Sequence, residues 1–224
     1  MVTEVNMQIA TRINQAKYDV FRWRFELSIP KKLALALGIA GLTGLVAQFR
    51  FYIPWSPVPI TGQTFAVLLA GVLLGKWWGG ASLAIYAGIG AAGVPWFAPQ
   101  TGMPIFSNGG IDVLRGASGG YIIGFIFAAL FLGYFTDRYI RARSFFSMLG
   151  LMLFANFVLI HVSGLIQLYF WLSLVQGKAV SLSQLLMMGT IPFVIGDVIK
   201  AVAAAAMARG VTPKQAYNGE VDRG

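Results

Sequence analysis

The chain has 224 residues, of which 57% are hydrophobic and only 11% are charged, and its formal net charge is +9. Soluble domains carry roughly 25% charged residues, so this composition excludes an ordinary soluble domain and indicates a protein whose surface lies in lipid. With no cysteine and a single histidine, the sequence has no disulfides or cysteine ligands and too few ligands for a histidine-based metal site.

The first predicted element is a basic leader over residues 1–32. It combines Lys and Arg with interspersed acids and has no early apolar core, so it is not interpreted as a cleaved signal peptide. Ile9, Ile13, Ala16 and Val20 recur near helical spacing. Part of the leader is therefore predicted to form an amphipathic helix along the membrane surface.

Six apolar segments follow within residues 33–208, which predicts an all-α integral membrane protein with six transmembrane helices. The second and third are short and joined by LGKWWGG, whose Lys76 and paired glycines indicate a tight turn, although residues 65–97 could instead form one bent element. A tail over residues 209–224 ends the chain. The predicted spans are 33–49, 65–78, 81–97, 119–135, 146–175 and 186–208.

The Lys and Arg side chains are distributed unevenly between the two sides of this bundle. Six spans place both termini on one side, and thirteen of the 17 basic residues fall on that side. Arg50, Arg115 and Lys178 fall on the other side, and Lys200 lies within a span. The positive-inside rule then predicts that both termini are cytoplasmic, and the separated clusters predict no nucleic-acid partner. The basic residues on the predicted cytoplasmic side are Arg12, Lys17, Arg22, Arg24, Lys31, Lys32, Lys76, Arg138, Arg141, Arg143, Arg209, Lys214 and Arg223.

Two connections on the outer side differ from ordinary loops. Residues 50–62, RFYIPWSPVPITG, contain three prolines, which predict a stiff and non-helical segment. Residues 94–118 are longer than most connections and are apolar and aromatic, so a functional segment is favoured over a disordered one. Both connections are predicted to cover a pocket that opens outward.

The sequence lacks the phosphate-loop and zinc-binding motifs of nucleotide-binding proteins and metalloenzymes. The sequence has no G-x-x-x-x-G-K-[ST] phosphate loop and no H-E-x-x-H pair. The glycine-rich SGGY at 118–121 precedes an apolar helix and follows no strand, so it is interpreted as a helix start. We therefore predict no catalytic residue, no metal and no ATP hydrolysis by this chain, and the protein is not expected to be an enzyme.

Two opposite charges lie inside the last predicted span, in IPFVIGDVIKA. Asp197 and Lys200 are three residues apart, so they share one helix face and can form an ion pair. One interpretation is that the ion pair only lowers the free-energy cost of inserting this segment into the membrane. Because each charge costs roughly 2.5–3.5 kcal/mol at mid-membrane, and because ionisable residues in spans usually face a cavity or pathway, a binding site is favoured.

Small residues recur every four positions in the first span. Ala36, Ala40 and Gly44 form one row, and Ala34 and Gly38 begin a second row. Rows of this kind let helices approach closely. From the residues alone, packing within the bundle and docking of a partner subunit are equally consistent with the pattern.

Among the remaining polar residues, Gln63 and Arg115 each allow two interpretations. Gln63 can be a ligand of the substrate, although capping of the helix that it begins is favoured, and Asn108 lies in the long outer connection. Arg115 can anchor the chain at lipid head groups or neutralise an anionic ligand. His161 and Gln167 are six residues apart in the fifth span, so each is expected to form an interhelical hydrogen bond.

Three segments in the same order resemble the BioY family, the biotin-specific substrate-binding (S) components of energy-coupling factor (ECF) transporters. They are PVPITGQTFAVLLAGVLLG, the long connection that ends in GASGGYIIGF, and PFVIGDVIKA. The resemblance covers about residues 33–208 and leaves out the leader and the tail. It implies a six-helix protein of the cell membrane that binds biotin near its extracytoplasmic face. It also implies a transmembrane coupling (T) subunit and two cytoplasmic ATPase subunits as partners, with biotin as the transported ligand and no cofactor.

The resemblance also implies roles for particular residues. Asp197 would accept hydrogen bonds from the ureido N–H groups of biotin, and Lys200 or Arg115 would bind its carboxylate or its ureido oxygen. Asn108 or Gln63 would complete the polar set. The candidate apolar walls are Tyr86, Trp96, Phe97 and Tyr121.

The Ala-xxx-Ala row of the family contacts the T subunit. Ala36 and Ala40 match that row and Gly44 continues it, so the resemblance favours docking over internal packing. Two alternatives for the function stay open, an S component for another vitamin and a membrane enzyme that uses Asp197 and Lys200 as an acid–base pair.

Overall fold

The computed structural model describes residues 2–217 and 219–222, without the side chains of residues 2–5 and 10. Arg223, which the charge distribution assigns to the cytoplasmic side, lies outside the described residues. The fold is helical, and a small antiparallel ribbon joins β1 (Arg50–Phe51) to β2 (Ile60–Thr61) within the first outer connection. The α-helices are α1 (Val2–Glu26), α2 (Ile29–Ala47), α3 (Gln63–Ala91), α4 (Ile111–Arg115), α5 (Gly119–Arg138), α6 (Phe145–Phe154), α7 (His161–Phe170), α8 (Leu182–Gly189) and α9 (Val194–Val211).

Within the described residues, five helical segments are long and apolar enough to cross a membrane. Four of them coincide with single predicted spans, and Gln63–Ala91 covers the region of the predicted second and third spans. The chain is therefore a multi-pass membrane protein. α6 and α7 form one continuous helical segment, because the π-helical stretches Ala155–Ile160 and Trp171–Val175 continue them. The five segments are Ile29–Ala47, Gln63–Ala91, Gly119–Arg138, Phe145–Val175 and Leu182–Val211.

Local signals explain several helix starts. Pro30 lies in the first turn of α2, where backbone N–H groups have no hydrogen-bond acceptor within the helix. The absence of an N–H on proline therefore breaks no intrahelical hydrogen bond. Ser181 accepts the N–H of Gln184, and the Gln184 side chain accepts the N–H of Ser181, which is a complete capping box at the start of α8.

Helix α3 is broken at Gly75, whose φ of 78° and ψ of 177° are not helical. A Cβ atom on Gly79 would lie 2.6 Å from the Cα atom of Gly71, so the arms on either side of the break pack directly against each other. The N–H of Lys76 donates to Oδ2 of Asp137 at 2.9 Å, which satisfies a donor at the break. The predicted tight turn around Lys76 is therefore present, as a break at Gly75 within the one helical segment Gln63–Ala91.

Glycines also set the distance between α3 and α5. A Cβ on Gly71 would lie 2.2 Å from the carbonyl oxygen of Ala129, and a Cβ on Gly133 would lie 2.5 Å from Cα of Lys76. Such close approach is the usual role of small residues between membrane helices. The centre of the bundle lies at this contact.

The first row of small residues in α2 faces this interior. Ala36 and Ala40 have no exposed surface, and Gly44 is buried. Their burial contradicts the prediction that this row docks a partner, because no other chain can reach it in this conformation. Ala34 and Gly38 lie on the exposed face of the same helix, and a Cβ on Gly38 would contact nothing within 4 Å.

The leader and the tail pack against one end of the bundle. Arg24 is buried, and its guanidinium pairs with the carboxylate of Asp137 at the end of α5. Arg143 pairs with Glu220 of the tail at 2.6 Å. The ring of Phe21 lies between the two guanidinium groups, 3.8 Å from that of Arg24 and 4.3 Å from that of Arg143. Parts of both terminal segments are thus buried in the bundle end.

Candidate substrate-binding site

A cavity of about 600 Å³ lies under the two long outer connections, where the ends of α3, α5, α7 and α9 meet. Its volume lies within the range of 300–1,000 Å³ that is typical of small-molecule sites. Both connections contribute residues to it, as their predicted covering position requires. Its apolar wall includes Val58, Phe97, Ile122, Phe125, Trp171 and Phe193.

Asp197 lies in the wall of this cavity with a side chain that is almost fully buried. Its Oδ1 is 2.6 Å from Nζ of Lys200. Its Oδ2 accepts a hydrogen bond from Nδ2 of Asn156 at 2.9 Å and lies 2.9 Å from Nε2 of His161. A buried carboxylate needs partners of this kind, because an isolated charge would be expensive to remove from water.

Lys200 connects this carboxylate to the first outer connection. Its Nζ donates to the carbonyl oxygen of Thr61 at 3.0 Å and to Oγ1 of Thr64 at 3.2 Å, in addition to Asp197. An ammonium group has three donors, so the three partners use all of them.

The π-helical stretch Ala155–Ile160 explains how Asn156 and His161 reach the same oxygen. In an α-helix, residues five apart point about 140° away from each other. A π-helix has a wider turn with i→i+5 hydrogen bonds, which brings such residues to one side. Spacing rules for a regular helix therefore missed Asn156. The available signal was an Asn and a His close together inside an apolar run.

The predicted interhelical hydrogen bond of His161 is confirmed, with Asp197 as its partner on another helix. The predicted interhelical bond of Gln167 is also present, because its Nε2 donates at 3.2 Å to the carbonyl oxygen of Arg115, in the short helix α4 of the outer connection. The imidazole thus belongs to the cavity wall, whereas Gln167 holds the connection that covers the cavity.

The structure places most of the predicted ligand residues in the cavity lining and three outside it. Arg115 is exposed, and its guanidinium lies 3.6 Å from the carboxylate of Asp112. Tyr86 is fully buried behind the lining, and Trp96 stacks on Tyr86 with ring centroids 5.4 Å apart. The predicted residues in the lining are Gln63, Phe97, Asn108, Tyr121, Asp197 and Lys200.

Gln63 is held by its neighbours and is not a helix cap. Its Nε2 donates to Oη of Tyr86 at 2.7 Å, and its Oε1 accepts from Oγ1 of Thr61 at 2.9 Å. The N-cap of α3 is Gly62, which makes no side-chain cap bond, so the favoured interpretation of Gln63 as a cap is wrong. Tyr86 therefore supports the lining through Gln63.

Asn108 holds the long outer connection together at the cavity. Its Nδ2 donates to the carbonyl oxygen of Ala98 at 2.6 Å, and its main-chain carbonyl oxygen accepts the N–H of Phe97 at 3.0 Å.

Tyr52 of the first outer connection bonds to the second one, because its hydroxyl donates to the carbonyl oxygen of Pro99 at 3.1 Å. Burial raises the pKa of Tyr52, and the nearby charge of Arg50 only partly offsets that shift, so the hydroxyl stays a donor.

The arrangement suits an uncharged polar group at one end of an apolar ligand. Hydrogen-bonding side chains gather around Asp197, whereas the rest of the wall is largely aromatic and aliphatic. Among the described residues, no group of three or more His, Asp or Glu side chains could hold a metal ion. The side chains that line the cavity favour hydrogen bonds and apolar contact with a ligand.

Comparisons with known proteins show which family this chain belongs to. The BioY family model matches residues 17–216. The probable biotin transporter BioY of Methanothermobacter thermautotrophicus is 52% identical over 154 residues, which are 69% of this chain and 94% of that protein. The probable biotin transporter BioY of Pyrococcus horikoshii is 34% identical over 178 residues, which are 80% of this chain and 94% of that protein. The biotin transporter BioY of Thermotoga maritima is 35% identical over 158 residues, 70% of this chain and 82% of that protein.

Among solved structures, the S-component for biotin from an ECF-type ABC transporter has the same fold. It superposes with a TM-score of 0.68 at 24% sequence identity, covering 82% of this chain and 93% of that chain. The family match begins before residue 33 and ends after residue 208, so the similarity extends further than the sequence motifs suggested. The added residues include Phe21 and Arg24, which are buried against the bundle end. The chain belongs to the BioY family.

Proposed function

We propose that this chain is the biotin-binding S component of an ECF-type uptake transporter in the cell membrane. It captures biotin at the extracytoplasmic face and delivers it to the cytoplasm. The names of the relatives support this function. The observation that carries it is the buried Asp197, paired with Lys200, in the wall of a cavity of about 600 Å³ that two aromatic connections cover.

The chemistry of biotin matches the two parts of this wall. The ureido ring has two N–H donors and one carbonyl oxygen, and Asp197 is a buried acceptor for one of these donors. The thiophane ring and the valeryl chain are apolar and suit the surfaces of Phe97, Tyr121 and Phe125. We place the ureido end at Asp197 and the valeryl chain toward the exposed side of the cavity.

The carboxylate of biotin then lies near the outer connection. Lys200 has no free donor for it, because its ammonium already makes three contacts. Asn108 lines this part of the cavity, and Arg115 follows it on α4, which contributes Asp112 to the lining. We propose that Asn108 contacts the carboxylate and that Arg115 neutralises it once the outer connection has closed over the ligand.

The orientation of the chain in the membrane follows from its charges. We propose that the two arms of α3, on either side of the break at Gly75, are separate spans, which gives six spans with both termini on one side. We propose that this side is cytoplasmic, with residues 33–208 as the membrane domain between the leader, 1–32, and the tail, 209–224. Ile9 and Ile13 of α1 are each 50% exposed. This apolar stripe supports a leader that lies along the membrane surface.

Energy coupling requires other chains. This sequence has no phosphate loop, so we propose a transmembrane T subunit and two cytoplasmic ATPase subunits as partners. The exposed face of α2 around Ala34 and Gly38 is our proposed contact for the T subunit, in place of the buried row. Small residues there allow close approach of a partner helix.

Binding of radiolabelled biotin to the purified protein tests the function, with a panel of other vitamins at equal concentration as the control. We expect saturable binding of biotin that the other vitamins do not displace. Absence of biotin binding at micromolar concentration would contradict the proposal. Binding of a different vitamin would assign the chain to an S component with another ligand.

A further inference from the structure

We infer that His161 is a positioning residue for ligand recognition, acting through Asp197 together with Asn156. The two side chains fix the carboxylate so that a single acceptor position, on Oδ1, stays open to the ligand. This inference rests on the proposed function, since it concerns the same cavity, but its test separates the two.

The number of hydrogen bonds at Asp197 leads to this assignment. An ionised carboxylate offers about four lone-pair positions, two on each oxygen. Oδ2 receives Asn156 and His161, each at 2.9 Å, so both of its positions are used. Oδ1 has Lys200 at 2.6 Å as its partner. One position therefore remains, and it can accept one N–H of a ligand.

His161 has no ring nitrogen left for the ligand. Its Nε2 points at Asp197, and its Nδ1 lies 3.2 Å from the carbonyl oxygen of Gly189 and 3.2 Å from Oγ1 of Thr190. Because a carboxylate only accepts, the hydrogen bond to Asp197 requires the proton to be on Nε2. With that proton in place, the Thr190 hydroxyl can donate to Nδ1. Both nitrogens are thus engaged within the protein.

Aromatic rings hold the imidazole in this orientation. Its centroid lies 5.4 Å from that of Phe157, 5.7 Å from that of Tyr121 and 5.8 Å from that of Phe193. Tyr121 itself is fixed by a hydrogen bond from its hydroxyl to the carbonyl oxygen of Gly189, 2.8 Å long. The ring that orients Asp197 is therefore itself held from several sides.

Without these donors, Lys200 would be the main partner of the carboxylate. The carboxylate could then rotate and share both oxygens with the ammonium, which would remove the open acceptor position. Positioning groups act in this way when they lock the rotamer of a ligand-binding side chain. His161 and Asn156 decide which oxygen of Asp197 meets the ligand.

Two matched variants test the inference by biotin binding to the purified full chain. In His161→Gln the side-chain amide can place an N–H near the position of Nε2, whereas the shorter amide of His161→Asn cannot reach Asp197. We expect His161→Asn to weaken biotin binding ~10-fold or more, as loss of a hydrogen bond to a charged group does. We expect His161→Gln to retain most of the affinity.

Equal affinity of His161→Asn and the wild-type protein would overturn the inference, and so would an equal loss in both variants. Elution from size exclusion in detergent and thermal unfolding monitored by tryptophan fluorescence report whether each variant is folded. If His161→Asn does not fold, Asn156→Leu is used in its place, because that change removes the other donor to Oδ2. Unchanged affinity of Asn156→Leu would likewise overturn the inference. Failure of the wild-type protein to bind biotin would instead contradict the proposed function.

Discussion

The ammonium nitrogen of Lys200 lies 2.6 Å from Oδ1 of Asp197, one helical turn away on the same helix. The same nitrogen also donates to the carbonyl oxygen of Thr61, 3.0 Å away in the first outer connection. Lys200 therefore neutralises the buried carboxylate and also ties α9 to a segment that covers the cavity. One side chain therefore pairs with the buried charge and also holds the connection that covers the cavity.

Replacement of the carboxylate tests its role in binding. Asp197→Asn removes the charge that accepts the ligand N–H, so we expect biotin affinity to fall ~10–100-fold, since hydrogen bonds to charged groups are the stronger ones. Equilibrium binding of radiolabelled biotin measures this. Asp112→Asn is the matched control, because Asp112 also lines the cavity but its side chain is exposed. An equal effect of the two changes would show that Asp197 has no special role.

Removal of the ammonium tests the ion pair as a structural element. Lys200→Met leaves a buried carboxylate without its cation, so we expect the free energy of unfolding to fall by about 3 kcal/mol. Thermal unfolding in detergent, followed by tryptophan fluorescence, measures the change. Lys178→Met removes an exposed cation from the outer side and should leave the unfolding temperature nearly unchanged. Equal stability of the Lys200 variant and the wild-type protein would contradict the prediction.

The break in α3 depends on the absence of a side chain at Gly75. An alanine there would have to adopt φ of 78°, and its Cβ would lie 2.7 Å from Oδ2 of Asp137. We expect Gly75→Ala to destabilise the protein by about 1–3 kcal/mol, the usual cost of a strained backbone residue. Gly88→Ala in the same helix meets nothing within 4 Å and should be neutral or stabilising, because glycine disfavours a helix. The prediction fails if the two variants unfold at the same temperature.

The buried and exposed small residues of α2 should respond differently to a larger side chain. Ala40→Leu overpacks the interior, so we expect a loss of about 1–3 kcal/mol of stability, measured by thermal unfolding. Gly38→Leu lies on the open face and should keep stability and biotin binding.

The same variant tests the proposed contact with a T subunit. If this face is the contact, Gly38→Leu should weaken copurification with the T subunit. Full assembly of that variant would exclude the proposed face.

The packing of the leader can be tested at Arg24. Arg24→Met leaves the carboxylate of Asp137 without its guanidinium partner, so we expect a loss of about 3 kcal/mol in the free energy of unfolding. Arg22→Met breaks an exposed pair with Glu26 and should have little effect, since surface salt bridges contribute little. Similar unfolding temperatures for the two variants would show that α1 is not an integral part of the bundle.

The sequence alone determined the membrane character, the positions of the apolar spans and the pairing of Asp197 with Lys200. Each of these follows from local chemistry. A long apolar run has few alternatives to a membrane helix, and two charges inside such a run need partners wherever the helix packs. Three sequence motifs in the right order also indicated the BioY family, which the family model confirms.

Only the tertiary structure decided which way each helix face points and which distant residues meet. Ala36 and Ala34 belong to equivalent rows in the sequence, yet one is buried and the other exposed, because the packing of α3 selects one side of α2. Asn156 and His161 meet Asp197 because a π-helical turn changes the periodicity of their segment. Arg115 lies outside the cavity because α4 turns it toward solvent. The rotation of a helix about its axis depends on its contacts with all neighbouring helices together. The spacing of residues along one helix does not contain that information.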